Sequence, residues 1–287
     1  MSARARSTAP VTDDGTLRIF GPVGPDEPAG APAHRLTGLR VPAGVGPYFT
    51  TSDRDPVPLG EYAAATGHRV AREECADWAR LGGDNGFELC ADAEGTVRAV
   101  LLDYDENDRF VNSSPEAFAS GLGELREALR VILGTDRPST ATAAFDRLTE
   151  RLRALDPRAF AERENWWPLV LDDIRDTASV ENFAAFEHLD PEDGKRIVTQ
   201  AGAIAQHPEE RLWTTLNAAG VEPGQVLRVH TDLQACFMPG HYCSLWLAQL
   251  FPHAEMTHSF PYGETADSRA EGIRRLREAT DDPAAGA

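Results

Sequence analysis

The sequence predicts an α/β fold in two parts, and three observations lead there. The chain has 287 residues, and a single hydrophobic core usually stops growing near ~250. Apolar residues recur at helical spacing in the middle of the chain. Towards the end, strand and helix signals alternate in the order ββαβαβα, which implies a sheet of mixed direction with helices packed on its faces. The apolar (41%) and charged (26%) fractions are those of an ordinary globular protein.

The elements follow in order. Residues 1–30 are rich in Ala, Pro, Gly and Thr and are expected as a mobile arm, with a short strand at Leu17–Phe20. Residues 31–135 read as a first domain. In it, Phe87–Ala91 and Val97–Leu102 form a hairpin around Asp92-Ala93-Glu94-Gly95. Ser113 and Glu116 have capping-box spacing, and Pro115 suits a first helical turn. Phe118, Leu122, Leu125, Leu129 and Leu133 then share one helical face. Phe145, Leu148, Leu152 and Leu155 mark a second helix in a helical linker, 136–165. The last domain, 166–287, opens with Trp166 and Trp167, and Pro168 is expected to break or kink that helix. Val180–Leu189 and Lys195–Ala201 read as a hairpin, and His207-Pro208-Glu209-Glu210 as a helix start. A strand at Val226–Leu233, a helix at Tyr242–Phe251, a strand at Ala254–Phe260 and a helix at Ser268–Glu278 complete the series.

Charge narrows the function classes. The net charge is −18, residues 1–150 and 151–287 carry −9 each, and Lys195 is the only lysine. Binding a polyanion needs clustered cations, so a long nucleic acid is a poor partner, and a small ligand or a basic protein fits better. Four cysteines in 287 residues are too few for a disulfide scaffold. No apolar run follows Arg4 and Arg6 as a signal peptide would require, and no stretch approaches the ~20 apolar residues of a membrane helix. A cytoplasmic protein is expected, with no membrane partner.

Two segments carry chemistry: His207-Pro208-Glu209, and Cys236-Phe237-Met238-Pro239-Gly240-His241-Tyr242-Cys243. Each stands where a helix begins. A catalytic zinc site needs three protein ligands and a fourth position open to water. Two loop-to-helix junctions side by side could aim His207, Cys236 and Cys243 at one point, with Glu209 close by. A His-x-Glu followed later by two cysteines is the signature form of zinc deaminases. Taken singly, His207 reads as a surface residue at a helix start, Glu209 as an ordinary first-turn acid, and each cysteine as a small buried apolar group. His241 is a rival ligand. His230, Asp232 and Ser244 could be imagined as a hydrolase triad, but no Gly-x-Ser-x-Gly elbow supports it. His253 and His258 read as surface or strand residues, and Trp166 and Trp167 as a core anchor or a base-stacking platform. Cys75 and Cys90 have no companion motif. Asp103, Asp105, Glu106 and Asp108 read as a solvated loop, because they lack the glycine and terminal glutamate of a calcium loop.

With the run Val229-His230-Thr231-Asp232-Leu233-Gln234-Ala235-Cys236, the segment through Cys243, and Ser259-Phe260-Pro261-Tyr262-Gly263, residues 166–280 resemble the nucleic acid/nucleotide deaminases of bacterial polymorphic toxin systems. The resemblance implies a cytidine-deaminase-like α/β/α sandwich with a mixed sheet. It implies Zn2+ on His207, Cys236 and Cys243 and Glu209 as the proton-shuttling catalytic residue; Tyr262 reads as a substrate-binding residue of the pocket or, equally, as a packing residue at a strand end. The substrate would be a nucleobase, nucleoside or nucleotide. Six residues separate the cysteines rather than the two of the wider superfamily. Ala235 replaces a usual proline, and Asp232 and Gln234 stand where relatives tend to have glutamates, which leaves open an inactive deaminase-like scaffold. In the first half, Val45-Gly46-Pro47-Tyr48-Phe49, Leu81-Gly82-Gly83-Asp84 and Phe110-Val111-Asn112-Ser113-Ser114 with Phe118 resemble the SUKH-4 branch of the SMI1/KNR4-type immunity proteins. That implies an α+β domain that binds a protein partner and carries no catalytic residues.

Overall fold

The computed structural model describes residues 15–22, 31–106, 108–192 and 194–281. The chain divides into two compact units, one over Val11–Leu171 and one carried by Asp172 onwards. Most of the arm expected at 1–30 lies outside the described residues, but its short strand is present.

In the first unit, β1 (Leu17–Ile19) pairs antiparallel with β2 (Arg40–Pro42). A second sheet is a meander of six strands in sequential order: β3 (Gly44–Val45), β4 (Phe49–Thr50), then, after α1 (Leu59–Thr66), β5 (Ala79–Gly83), β6 (Phe87–Ala91), β7 (Val97–Leu101) and β8 (Arg109–Asn112). The expected hairpin is β6–β7, with Gly95 at φ +88° in its turn. Helix α2 (Pro115–Leu133) follows. Its cap is Ser114, whose side chain accepts the Ala117 N–H, rather than Ser113. The Ser113 hydroxyl instead donates to Asp156. Helix α3 (Pro138–Leu155) buries Ala144, Leu148 and Leu152. Asp156, just beyond it, also accepts from Asn112 and the Ser113 backbone. Residues 136–165, expected as a linker, are thus tied into the first unit, and the division falls at Leu171/Asp172.

Helix α4 (Trp166–Ser179) runs through that division. Pro168 does not break it, because a first-turn N–H has no intrahelical partner to lose. Trp166 and Trp167 are core anchors rather than a stacking platform. They meet edge-to-face at 4.8 Å and are fully buried. Their indole N–H groups donate to Asp84 and Asn112, both at 2.7 Å.

The second unit holds the mixed sheet. Strands β9 (Phe183–Leu189) and β10 (Lys195–Ala201) form the expected hairpin. After α5 (Pro208–Ala218), β11 (Val226–Leu233) joins β9 antiparallel. A crossover through α6 (Cys243–Leu250) brings β12 (Glu255–Phe260) parallel to β11, giving the order β10-β9-β11-β12. Helix α7 (Ala266–Asp281) closes the chain against β11 and β12. On one sheet face Ala184, Phe186, Val229 and Leu233 are buried; Phe251, just after α6, meets Phe186 and Trp213 edge-to-face. On the other face Phe183 and Ile197 are exposed. The observed fold is α/β, as expected. Among the described residues no helix is long and apolar enough to cross a membrane.

Candidate metal centre

The site forms where two chain segments turn into helices. His207 precedes α5 with extended backbone (φ −75°, ψ 145°), and Pro208 locks the first helical residue. Glu209 and Glu210 follow in the first turn, where carboxylates suit the helix dipole. Cys236 leaves β11 and Cys243 opens α6. The residues between them fold back sharply. The Met238 carbonyl accepts the N–H groups of both His241 and Tyr242, and Gly240 (φ +84°) and Tyr242 (φ +44°) are left-handed. Ser244 then closes the loop by donating both its N–H and its hydroxyl to the Cys236 carbonyl, each at 3.0 Å. This closure lets six intervening residues return the second cysteine to the first.

The structure brings His207, Cys236 and Cys243 together. Both sulfurs lie 3.4 Å from His207 Nδ1, and all three candidate ligand atoms are within 4.8 Å of one another in a buried cluster. The far ring nitrogen, Nε2, bonds Asp173 Oδ1 at 2.8 Å, which turns Nδ1 towards the sulfurs. Burial opposes a charged Cys236. The hydrogen bond from Cys243 and the positive His207 nevertheless hold it well below an ordinary thiol, whereas burial pushes Cys243 well up. Glu209 is buried beside them, and its Oε2 has no hydrogen-bond partner. Burial pushes its carboxyl up to about 7.

His241, the rival ligand, points elsewhere. Its Nδ1 donates to Glu210 at 2.8 Å and its Nε2 to Asp173 Oδ2 at 3.2 Å. A ring that donates from both nitrogens is an imidazolium. Burial and His207 work against that charge, yet Glu210 and Asp173 hold the group at about 10. Asp173, though buried, is in turn held well below the usual carboxylate range by His241 and His207.

Beside the cluster is a cavity of about 30 Å³, lined among others by Asp173, Asp176, Asn182, Glu209, Thr231 and Tyr262. Among its lining residues none is Lys or Arg. The Tyr262 hydroxyl donates to Asp176 at 2.9 Å. Burial raises both groups. Asp232 accepts the Phe183 N–H at 2.7 Å, and Gln234 accepts the Tyr262 N–H at 3.3 Å, so both departures from the deaminase pattern hold backbone in place. The imagined triad does not assemble. His230 bonds Thr257 and Ser259, Asp232 serves Phe183, and Ser244 serves Cys236. Cys75 and Cys90 sit in an apolar cluster with Leu59 and Val100. The acidic loop is only partly solvated, since Asp103 takes His68 and the Arg69 N–H while Asp108 takes Arg72 and Arg98.

Asp173 and Asp176 escaped the sequence reading. Their signal was there in principle: two acids three residues apart on the helical face of Leu169, where a buried helix carries apolar side chains.

A family model for SUKH-4 immunity proteins matches residues 21–173, more than half of the chain. The chain belongs to that family. A model described as Xanthomonas-like deaminase matches residues 179–279. This SUKH-4 protein is therefore a fusion, with a deaminase-like domain behind its immunity domain. The deaminase match spans His207, Glu209, Cys236, Cys243 and Tyr262, while Asp173 and Asp176 on α4 lie just outside it. Among curated proteins, none matches this SUKH-4 fusion.

Proposed function

We propose that the second domain is a zinc-dependent hydrolytic deaminase of a nucleobase, nucleoside or nucleotide, joined to a domain that binds a protein partner. One observation carries the reading: His207 Nδ1 faces two cysteine sulfurs at 3.4 Å. Tetrahedral zinc with ordinary bond lengths keeps a nitrogen and a sulfur roughly 3.5 Å apart. The donor set also suits the ion, because a thiolate-prone Cys236 and a histidine oriented by a carboxylate are how such ligands are usually prepared. His207, Cys236 and Cys243 would hold the zinc, and the unpartnered Glu209 Oε2 marks where a water-borne proton can be received.

Zinc bound there would lower the pKa of a water molecule towards neutrality. The rest falls to the chain. Glu209 Oε2 takes a proton from the attacking water and delivers it to a ring nitrogen; it then takes the proton of the new C–OH and gives it to the amino group, which leaves as ammonia as the C=O forms. Its pKa of about 7 lets it both accept and return that proton near neutral pH. The acidic lining of the cavity disfavours phosphate and suits a neutral base, with Thr231 and Tyr262 also in the lining. The acidity of the whole chain suits a basic protein partner for the immunity domain.

The decisive experiment measures zinc by mass spectrometry in the purified protein and in Cys243→Ala, together with ammonia release from a panel of bases, nucleosides and nucleotides. About one zinc per chain, lost in the variant, with release abolished in Glu209→Gln, is the expected outcome. Zinc-free wild type would refute the reading.

A second reading, an inactive deaminase-like scaffold in a toxin-binding protein, is favoured by the cavity size. About 30 Å³ holds roughly two waters rather than a ring. It predicts that Glu209→Gln leaves cellular protection intact. A phenotype lost in that variant, with fold and partner binding preserved, speaks against it.

A further inference from the structure

We infer that His241 is a positioning residue for the His207–Cys236–Cys243 cluster: it locks Asp173, and Asp173 sets the direction of the His207 ring. The inference rests on reading that cluster as a zinc site. The His241 and His207 rings lie face to face, 3.8 Å apart and 8° from parallel. One carboxylate serves both, since Asp173 Oδ1 accepts from His207 at 2.8 Å and Oδ2 from His241 at 3.2 Å. A carboxylate bonded to one ring can rotate and offer either oxygen, because its terminal torsion is soft. A carboxylate held at both oxygens by two stacked rings has one orientation. His207 then has one direction for Nδ1, which is the atom turned towards the sulfurs.

His241 is itself held at its other end by Glu210, which follows Glu209 in the first turn of α5. Three pieces of chain are therefore cross-tied at one buried imidazole: α4 through Asp173, α5 through Glu210, and the loop between the cysteines. Both His241 and Asp173 are buried from water (0% and 1% exposed), so solvent cannot replace a lost partner.

Groups that orient a metal-binding histidine typically change metal affinity about 10–100-fold when removed. The test is the zinc affinity of the full chain, by competition with a chromophoric chelator, alongside the thermal midpoint of each metal-free protein. In His241→Gln the amide nitrogen reaches about as far as Nε2 and can still donate to Asp173. In His241→Asn it reaches only as far as Nδ1 and keeps the Glu210 link alone. Zinc binding about 10–100-fold weaker in His241→Asn, largely restored in His241→Gln, is the expected result. Unchanged affinity in folded His241→Asn overturns the inference, as does a glutamine variant no better than the asparagine one. A purely structural role would lower the metal-free midpoint without moving zinc affinity, and that outcome also counts against it. If His241→Asn does not fold, Glu210→Ala, which removes the acceptor at the other end of His241, carries the test, with a several-fold loss expected and no loss refuting. Wild type that binds no zinc sinks the zinc reading and this inference together. Wild type that binds zinc, with variants that bind it equally well, sinks this inference alone.

Discussion

Replacing Glu209 with leucine will stabilise the second unit while abolishing any deamination. Glu209 is 4% exposed and its Oε2 lacks a hydrogen-bond partner. Leaving a buried acceptor unsatisfied costs about 1–3 kcal/mol, and more when it is charged. Leucine is of similar size and similar helix propensity, so the exchange removes that cost without opening a void. Against it stands the loss of a first-turn carboxylate from the amino end of α5, about 0.3–1 kcal/mol. The balance is a gain of roughly 1–2 kcal/mol, or about 4–10 °C in the midpoint of a unit this size. The assay is thermal unfolding of metal-free wild type and variant at neutral pH, followed by circular dichroism, with zinc content and ammonia release measured on the same preparations. A folded variant that melts at or below the wild-type temperature would refute the reasoning, because Glu209 would then be satisfied in the folded protein. Stability and proposed activity would pull in opposite directions at one atom, as they do where a group is kept for reactivity.

Three further outcomes are expected. Gly272→Ala will destabilise the second unit by roughly 1–3 kcal/mol in thermal unfolding, since a methyl group there would press into the Pro261 carbonyl oxygen, and neither α7 nor that backbone can yield cheaply. Trp166→Phe will destabilise the first unit by about 2–4 kcal/mol in urea unfolding, because it removes the 2.7 Å donor to fully buried Asp84 and part of a packed ring. Asp108→Asn will weaken the first unit at pH 7, and the difference will shrink as the pH falls below the ordinary carboxylate range. Burial would raise this carboxyl, yet hydrogen bonds from Arg98 and Arg72 hold it below its ordinary value. A lowered carboxylate stabilises above its unfolded pKa of ~3.9, and that stability disappears as pH falls through the folded value. Equal urea midpoints of wild type and variant at pH 7, or a difference that grows on acidification, would contradict the assignment.

Much of the second unit could be read from its residues because its signals are local. Alternating burial marks β9 and β11, and Pro208 with two acids marks the start of α5. The His-x-Glu and two-cysteine spacing pointed to atoms that do converge. What stayed hidden depends on distant partners. Asp173 looks like any helical acid until His207 and His241 arrive from 34 and 68 residues away. The choice of Ser114 over Ser113 as cap was invisible because Asp156, 43 residues on, claims Ser113. The short strands β2 to β4 are two or three residues long, too brief for a period to register. Pro168 misled because its effect depends on whether it stands in the first turn or later, and α4 begins only two residues before it, at Trp166.

The loop that returns Cys243 to Cys236 is closed by the chain's own backbone and by Ser244. The conformational entropy of that closure is therefore lost when the protein folds, not when a ligand is captured. Whatever the two sulfurs grip meets a jaw already set, and its affinity is not diminished by ordering a floppy segment. On the proposed zinc reading, uptake and release would not require the unit to unravel, unlike small metal domains that fold only around their ion.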